Sequence, residues 1–284
     1  MSFKTITAAI AVLGAGLALG ACNGANTTAK QLDQVPNPYG DNVWSGYKTA
    51  TAETRAMQDD DFENPGMPVY DAAEGIYNAA AGEAGVSCAD CHGAVDDATG
   101  GRFGIPMKGV AANYPVYDAE DHKPINVELR INKCRTKYQK ADPFKYESDA
   151  MLGMTGLIAK QSRGMPRMTT ADSKTDALNP FWKTGEAFYY QRRGQLDMAC
   201  SHCHEDNAGN MVRAEVLSQG QSNGFPLYRL KWQKPGSLHR RFRGCNSNIR
   251  AEPYGYGSDE YLALETYLAW RGRGLPMEAP AVRK

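Results

Sequence analysis

Two five-residue strings stand out for their chemistry, Cys88-Ala89-Asp90-Cys91-His92 and Cys200-Ser201-His202-Cys203-His204. A Cys-x-x-Cys-His string attaches haem c: its thiols form thioethers to the vinyl groups, and its histidine becomes the proximal iron ligand. One copy could be accidental or half of a zinc site. Two copies at equivalent places predict two covalently bound haem c groups. Cys88 and Cys91 would hold the first, Cys200 and Cys203 the second, with His92 and His204 on the irons. A zinc site would pair thiolates with His92, His202 or His204, but it leaves the long repeat around them unexplained.

The chain has seven cysteines, so Cys22, Cys134 and Cys245 need a separate account. Cys134 lies 42 residues after His92, and Cys245 lies 41 after His204. Tyr114-Pro115-Val116-Tyr117 begins 20 residues before Cys134, and Phe225-Pro226-Leu227-Tyr228 begins 20 before Cys245. Arg130 and Arg241 stand four positions before the two cysteines, followed by Ile131 and Phe242. Among potential distal ligands, Met165 has Leu275 as its counterpart, which cannot bind iron, so Met165 reads as a packing residue. His122 and His239 have no equivalents and read as solvated or propionate-contacting. Cys134 and Cys245 alone occupy matched places in both halves. A distal thiolate donates strongly to ferric iron and lowers its potential. The alternatives are a Cys134–Cys245 disulfide, which would join equivalent points of two haem domains, or inert thiols. Arg240, Arg241, Arg243 and Arg250 surround Cys245, a setting that favours thiolate and attracts small dianions. Arg130, Lys133, Arg135 and Lys137 do the same around Cys134. Basic character therefore does not say which cysteine reacts.

The elements that must position these residues also come in matched sets. Ser148-Asp149 opens a segment closing on Arg163-Gly164-Met165-Pro166, and Ser258-Asp259 opens one of equal length closing on Arg273-Gly274-Leu275-Pro276. The serines are N-caps with acids beside them, and the basic-Gly-Pro runs are stops. Leu152, Met154 and Ile158 give one buried face, as do Tyr261, Leu264 and Leu268. Further helices are expected over 71–81 and 180–192, the second capped by Asn179 ahead of Pro180, and a short one over 51–58. The pattern predicts a mainly α protein. It has two tandem cytochrome c-like domains from an internal duplication, residues 67–178 and 179–284, after a turn-rich N-terminal extension, residues 23–66.

The chain has 284 residues and a formal net charge of zero, which gives no reason to expect a nucleic-acid or membrane-surface partner. Lys4 followed by the apolar run Ile6–Leu19 reads as an export signal, too short to span a bilayer. Leu19-Gly20-Ala21-Cys22 resembles a lipobox, so residues 1–22 are assigned as a signal peptide with a potential lipid anchor at Cys22. The expected location is the periplasm, where haem attachment by thioether prevents cofactor loss.

These residues resemble the SoxA family, dihaem subunits of the SoxAX L-cysteine S-thiosulfotransferases of bacterial sulfur oxidation. The likeness rests on Arg55–Asp61, Ser87–Gly93, Gly224–Leu230, Gly236–Arg241, Arg250–Pro253 and the closing helix, and covers about residue 45 to the C-terminus. It implies oxidative joining of thiosulfate to a cysteine of the carrier SoxYZ, with two electrons passing to the cytochrome SoxX in a heterodimer. It also implies that Cys245 is both distal ligand of the second haem and the catalytic thiol, carried as a persulfide. Arg241 would bind thiosulfate, and Cys134 would ligate the first haem opposite His92. Two further functions are distinguishable: a thiosulfate dehydrogenase forming tetrathionate, and a non-catalytic dihaem electron carrier.

Overall fold

The computed structural model describes Asn37 and residues 39–284, and these lie in one compact unit. The signal peptide and Cys22 lie outside the described residues. Helix α1 spans Ala52–Asp59, where the Thr51 hydroxyl accepts from Thr54 N at 3.3 Å and caps the first turn. From Met67 onward, the two halves share a common order of elements, to which the second adds a small hairpin and a final strand.

In the first half, α2 (Met67–Asn78) leads to the haem-motif turn α3 (Ala89–His92), then the hairpin β1 (Val116–Asp118) and β2 (Lys123–Ile125). Helices α4 (Val127–Cys134) and α5 (Asp149–Lys160) complete it. In the second half, α6 (Asn179–Tyr190) leads to α7 (Cys200–His204) and a small hairpin, β3 (Met211–Val212) with β4 (Glu215–Val216). The hairpin β5 (Leu227–Arg229) and β6 (Lys234–Gly236), then α8 (Leu238–Asn248) and α9 (Asp259–Arg271), follow. A final strand, β7 (Ala281–Arg283), runs parallel to β5.

Ser148 and Ser258 cap α5 and α9 through Met151 N and Tyr261 N. Asn126 and Ser237 do the same for α4 and α8. The α2 and α6 helices begin earlier than the sequence suggests, because Pro68 and Pro180 sit at first-turn positions where a missing N–H costs nothing. Asn179 is not a cap. It lies inside α6, and its amide donates to the Ala171 and Asp172 carbonyls at 3.1 Å. Nor do α5 and α9 have a single buried face. Residues 151–159 and 261–271 are buried on every side, because each helix is wrapped by its own half and by the other.

Two apolar cores result. Ala73, Tyr77, Met151, Met154 and Leu157 form the first, and Trp182, Tyr189, Tyr261, Leu264 and Tyr267 the second. Each takes residues from the opposite half. Met277 and Ala279 enter the first core, and Tyr117 packs on the second. The helix-closing strings pair in a reciprocal way. Arg167 N donates to Leu275 O and Met277 N to Met165 O, both at 2.8 Å; Gly164 N donates to Met277 O and Gly274 N to Arg167 O. Exchanging the halves maps each bond onto the other, so a local two-fold relation runs between Pro166 and Pro276. The segment before α2 clasps the second half: Trp44 N donates to Gln219 Oε1 at 2.8 Å, and Val282 N to Gln58 Oε1 at 3.1 Å.

Candidate haem and thiol sites

Each haem motif is a single helical turn following a core helix. In the first, Ser87 and Asp90 cap one another: Ser87 N donates to Asp90 Oδ2 at 2.7 Å, and Asp90 N to Ser87 Oγ at 3.0 Å. In the second, Ala199 N donates to His202 Nδ1 at 2.9 Å, so His202 is used locally. The motif histidines share one arrangement. His92 Nδ1 lies 3.0 Å from Ile105 O, and His204 Nδ1 lies 2.7 Å from Ser218 O. A carbonyl only accepts, so each Nδ1 carries the proton and leaves Nε2 with its lone pair for a metal. The Tyr39 hydroxyl also donates to the His204 carbonyl. Gly220, at φ +74°, lies flat against the His204 ring, where a Cβ would approach to 3.0 Å.

Both sets of site residues converge. Cys134 ends α4 within electrostatic reach of Cys88. Cys245 lies near the end of α8, one helical turn beyond Arg241, facing His204 and close to Cys200 and Cys203. None of the six described cysteines forms a disulfide, so Cys134 and Cys245 are not joined, and all six are partly exposed. The cysteines differ in charge state. Burial pushes the Cys88 thiol up to about 11 and Cys200 up to about 12. Burial opposes ionisation of Cys245 as well, but the Arg241 charge, with Arg229 beyond it, brings the thiol down to about 7.

These residues fit covalently held haem. In each half a thiol pair on one turn adjoins a histidine with a bare Nε2, and a second thiol-bearing helix end approaches the same place. At the second site the buried Tyr189 hydroxyl, beside Cys200, has no hydrogen-bond partner, as expected where a cofactor completes the wall. Among the described residues no group of three or more His, Cys, Asp or Glu side chains is arranged to hold a bare metal ion.

Residues 72–167 and 184–277 each match the family model for the SoxA/TsdA cytochrome c domain. The chain belongs to the SoxA/TsdA cytochrome c family. Covalently bound haem c is therefore its cofactor. It is 46% identical to the L-cysteine S-thiosulfotransferase subunit SoxA of Pseudaminobacter salicylatoxidans, over 84% of this chain and 80% of that one. It is 43% identical to the protein of the same name from Rhodovulum sulfidophilum, over 86% and 81%. Among solved structures, SoxXA from P. pantotrophus superposes with a TM-score of 0.78 at 41% identity, covering 85% of this chain and 87% of that one.

Within this SoxA/TsdA chain the remaining placements divide. Met165 packs on the first core beside Gly109, as a packing residue should. His122 is exposed at a turn with φ 54°. His239, expected to be solvated or to contact a propionate, is instead fully buried. Its Nδ1 accepts from Gly257 N at 3.0 Å, and its Nε2 lies 3.1 Å from Glu265 Oε2. The reason is tertiary: Glu265 and Tyr261 come from α9 and enclose the ring. Sequence reasoning missed Arg229 and Glu215 altogether. Arg229 is buried and paired with Glu215, and lies within electrostatic reach of both Arg241 and Cys245. The signal was available, because the residue after each matched tyrosine is Asp118 in one half and Arg229 in the other.

Proposed function

We propose that the chain is the catalytic dihaem subunit of an L-cysteine S-thiosulfotransferase, with the second half as the working site. The observation that carries this is the placement of Cys245, one helical turn beyond Arg241 and facing both His204 and Arg229. The relatives of the same name support the enzyme class. In the net reaction, a carrier thiol and thiosulfate form a cysteine S-thiosulfonate, releasing one proton and two electrons.

His92 with Cys134, and His204 with Cys245, would ligate the two irons, and Cys88, Cys91, Cys200 and Cys203 would carry the thioethers. Haem bound there supplies an electron acceptor next to the sulfur. Arg241 offers guanidinium donors to the thiosulfate oxygens, a charge-assisted and directional contact. Cys245 offers a nucleophilic sulfur that can take up and hand on sulfane sulfur as a persulfide. The likeness to the SoxXA structure supports a SoxX-type cytochrome as the partner that receives electrons, and SoxYZ is the proposed carrier. The matched element order and reciprocal hydrogen bonds support an internal duplication, with haem domains at 67–178 and 179–284 after an extension at 23–66. The proposed location is the periplasm, by way of the 1–22 signal. No described helix is long and apolar enough to cross a membrane.

The family also includes TsdA proteins, so the test must separate carrier conjugation from tetrathionate formation. The holoprotein is incubated with thiosulfate and an electron acceptor, with and without SoxYZ. Conjugation of the SoxYZ cysteine with little tetrathionate is expected. Rapid tetrathionate formation without the carrier would overturn the reading.

A further inference from the structure

The two halves present matched cysteines on matched backbone. Hairpin register is the same, with Val116, Tyr117 and Asp118 opposite Ile125, Pro124 and Lys123, and Leu227, Tyr228 and Arg229 opposite Gly236, Pro235 and Lys234. The turn residues His122 and Gln233 share φ near 54° and 53°. Capped helices follow, with Arg130 and Arg241 one turn before Cys134 and Cys245. Both cysteines are partly exposed, so access alone does not distinguish them.

Charge pairing does. In the first half Asp118 is buried and meets Arg130 Nη2 at 3.3 Å and Lys133 Nζ at 2.9 Å. Lys133 also meets Asp121 at 2.9 Å and Glu120 at 3.2 Å, and Lys137 meets Glu120 at 2.7 Å. Arg135 lies over the Phe144 ring, 3.7 Å from its centroid. Three cations are thus met by three carboxylates. In the second half the positions of Asp118, Glu120 and Asp121 are held by Arg229, Lys231 and Trp232, and that of Lys133 by Gly244. Arg241 has no ion pair among the described residues, and Arg229 has one carboxylate partner, Glu215.

We propose that the residue ending the first hairpin strand, Asp118 in one half and Arg229 in the other, decides which of the two matched cysteine sites admits an oxyanion. Tyr114 and Asp118 engage Arg130, and Arg135 is held over Phe144 with its Nε donating to the Asp142 carbonyl, so the guanidiniums beside Cys134 are occupied within the fold. Arg229 keeps Arg241 unpaired by withholding a carboxylate, and adds a second positive group that Glu215 holds in place. A buried carboxylate is screened little by salt, so its repulsion of a dianion persists at physiological ionic strength. The inference deepens the proposed function and rests on Cys245 being the reacting sulfur.

Tetrathionate is a suitable probe. A thiolate attacks one of its central sulfurs, forming Cys–S–S–SO3⁻ and releasing thiosulfate, with no external oxidant. The holoprotein is treated with tetrathionate, or with neutral 2,2′-dithiodipyridine as an accessibility control, and the Cys134 and Cys245 peptides are followed by mass spectrometry. In the unaltered protein, tetrathionate is expected to label Cys245 at least about tenfold faster than Cys134. Asp118→Asn should raise Cys134 labelling by about tenfold or more, and Arg229→Asp should lower Cys245 labelling by a similar factor, with the neutral probe little changed. Retention of both haem masses verifies that each variant is assembled. Absence of Cys245 labelling in the unaltered protein would remove the functional reading and this inference together. Labelled Cys245 with Cys134 unchanged in Asp118→Asn, or Cys245 unchanged in Arg229→Asp, would overturn the inference alone.

Discussion

Cys245 and Arg241 make separable contributions, because one supplies the sulfur and the other the charge that orders the substrate. Cys245→Ala should abolish conjugation while mass spectrometry still finds both haems, since the thioethers depend on other cysteines. Full activity in that variant would rule out the catalytic role. Arg241→Ala should cost about tenfold to a hundredfold in kcat/KM, the range for losing a charged hydrogen-bond partner. An unchanged KM for thiosulfate would argue against substrate contact. Arg229 was not legible because its meaning depends on where β5 carries it. In the sequence it is one arginine among many, whereas in the fold it replaces the aspartate that silences the other site.

The core helices cross at small residues, and the two halves reverse which helix carries the glycine. In the first half Gly153 of α5 faces Ala73 of α2, where an added Cβ would come within 2.9 Å of the Ala73 Cβ and 2.7 Å of Val69 O. In the second, Gly185 of α6 faces Ala263 of α9, where a Cβ would sit 2.0 Å from the Ala263 carbonyl. Gly185→Ala should therefore destabilise by about 1–3 kcal/mol through forced separation of α6 and α9. Gly75→Ala, at an exposed helical position with open space around it, should stabilise by about 0.5–1 kcal/mol. Thermal denaturation of the two variants measures both, and equal effects would mean that the crossing is not tight. Element order was largely readable from sequence because caps and stops are local: Ser148, Ser258 and the basic-Gly-Pro strings specify α5 and α9 directly. Helices α4 and α8 were not foreseen, although they carry Cys134 and Cys245. Their turns are rich in Arg, Lys and Asn and owe their stability to capping by Asn126 and Ser237 and to packing beneath α5 and α9. The all-round burial of α5 and α9 was equally hidden, since periodicity within one segment cannot show that a second half closes over its far side.

At the scale of the whole molecule, the halves meet through buried polar groups as well as apolar cores. Asn126 Nδ2 donates to Tyr146 OH at 2.6 Å and to Glu265 Oε2 at 3.0 Å, and His239 holds the same carboxylate. Glu128, also buried, faces this cluster from the first half together with Glu147. Burial first, and the Glu265 charge second, raise its pKa to about 8. The unfolded chain binds that proton only below the ordinary carboxylate value near 4.5. Folding therefore takes up a proton between these limits. The stabilisation is complete below about 4.5 and is lost as pH rises through about 8. Glu128→Gln keeps the shape and the neutral state but removes the titration. Its Tm should fall less steeply than that of the unaltered protein between about pH 5 and 8, with the two curves converging on the acid side. Parallel Tm curves across that range would mean that Glu128 is already ionised in the folded protein, and that the seam between the halves tolerates two adjacent carboxylates.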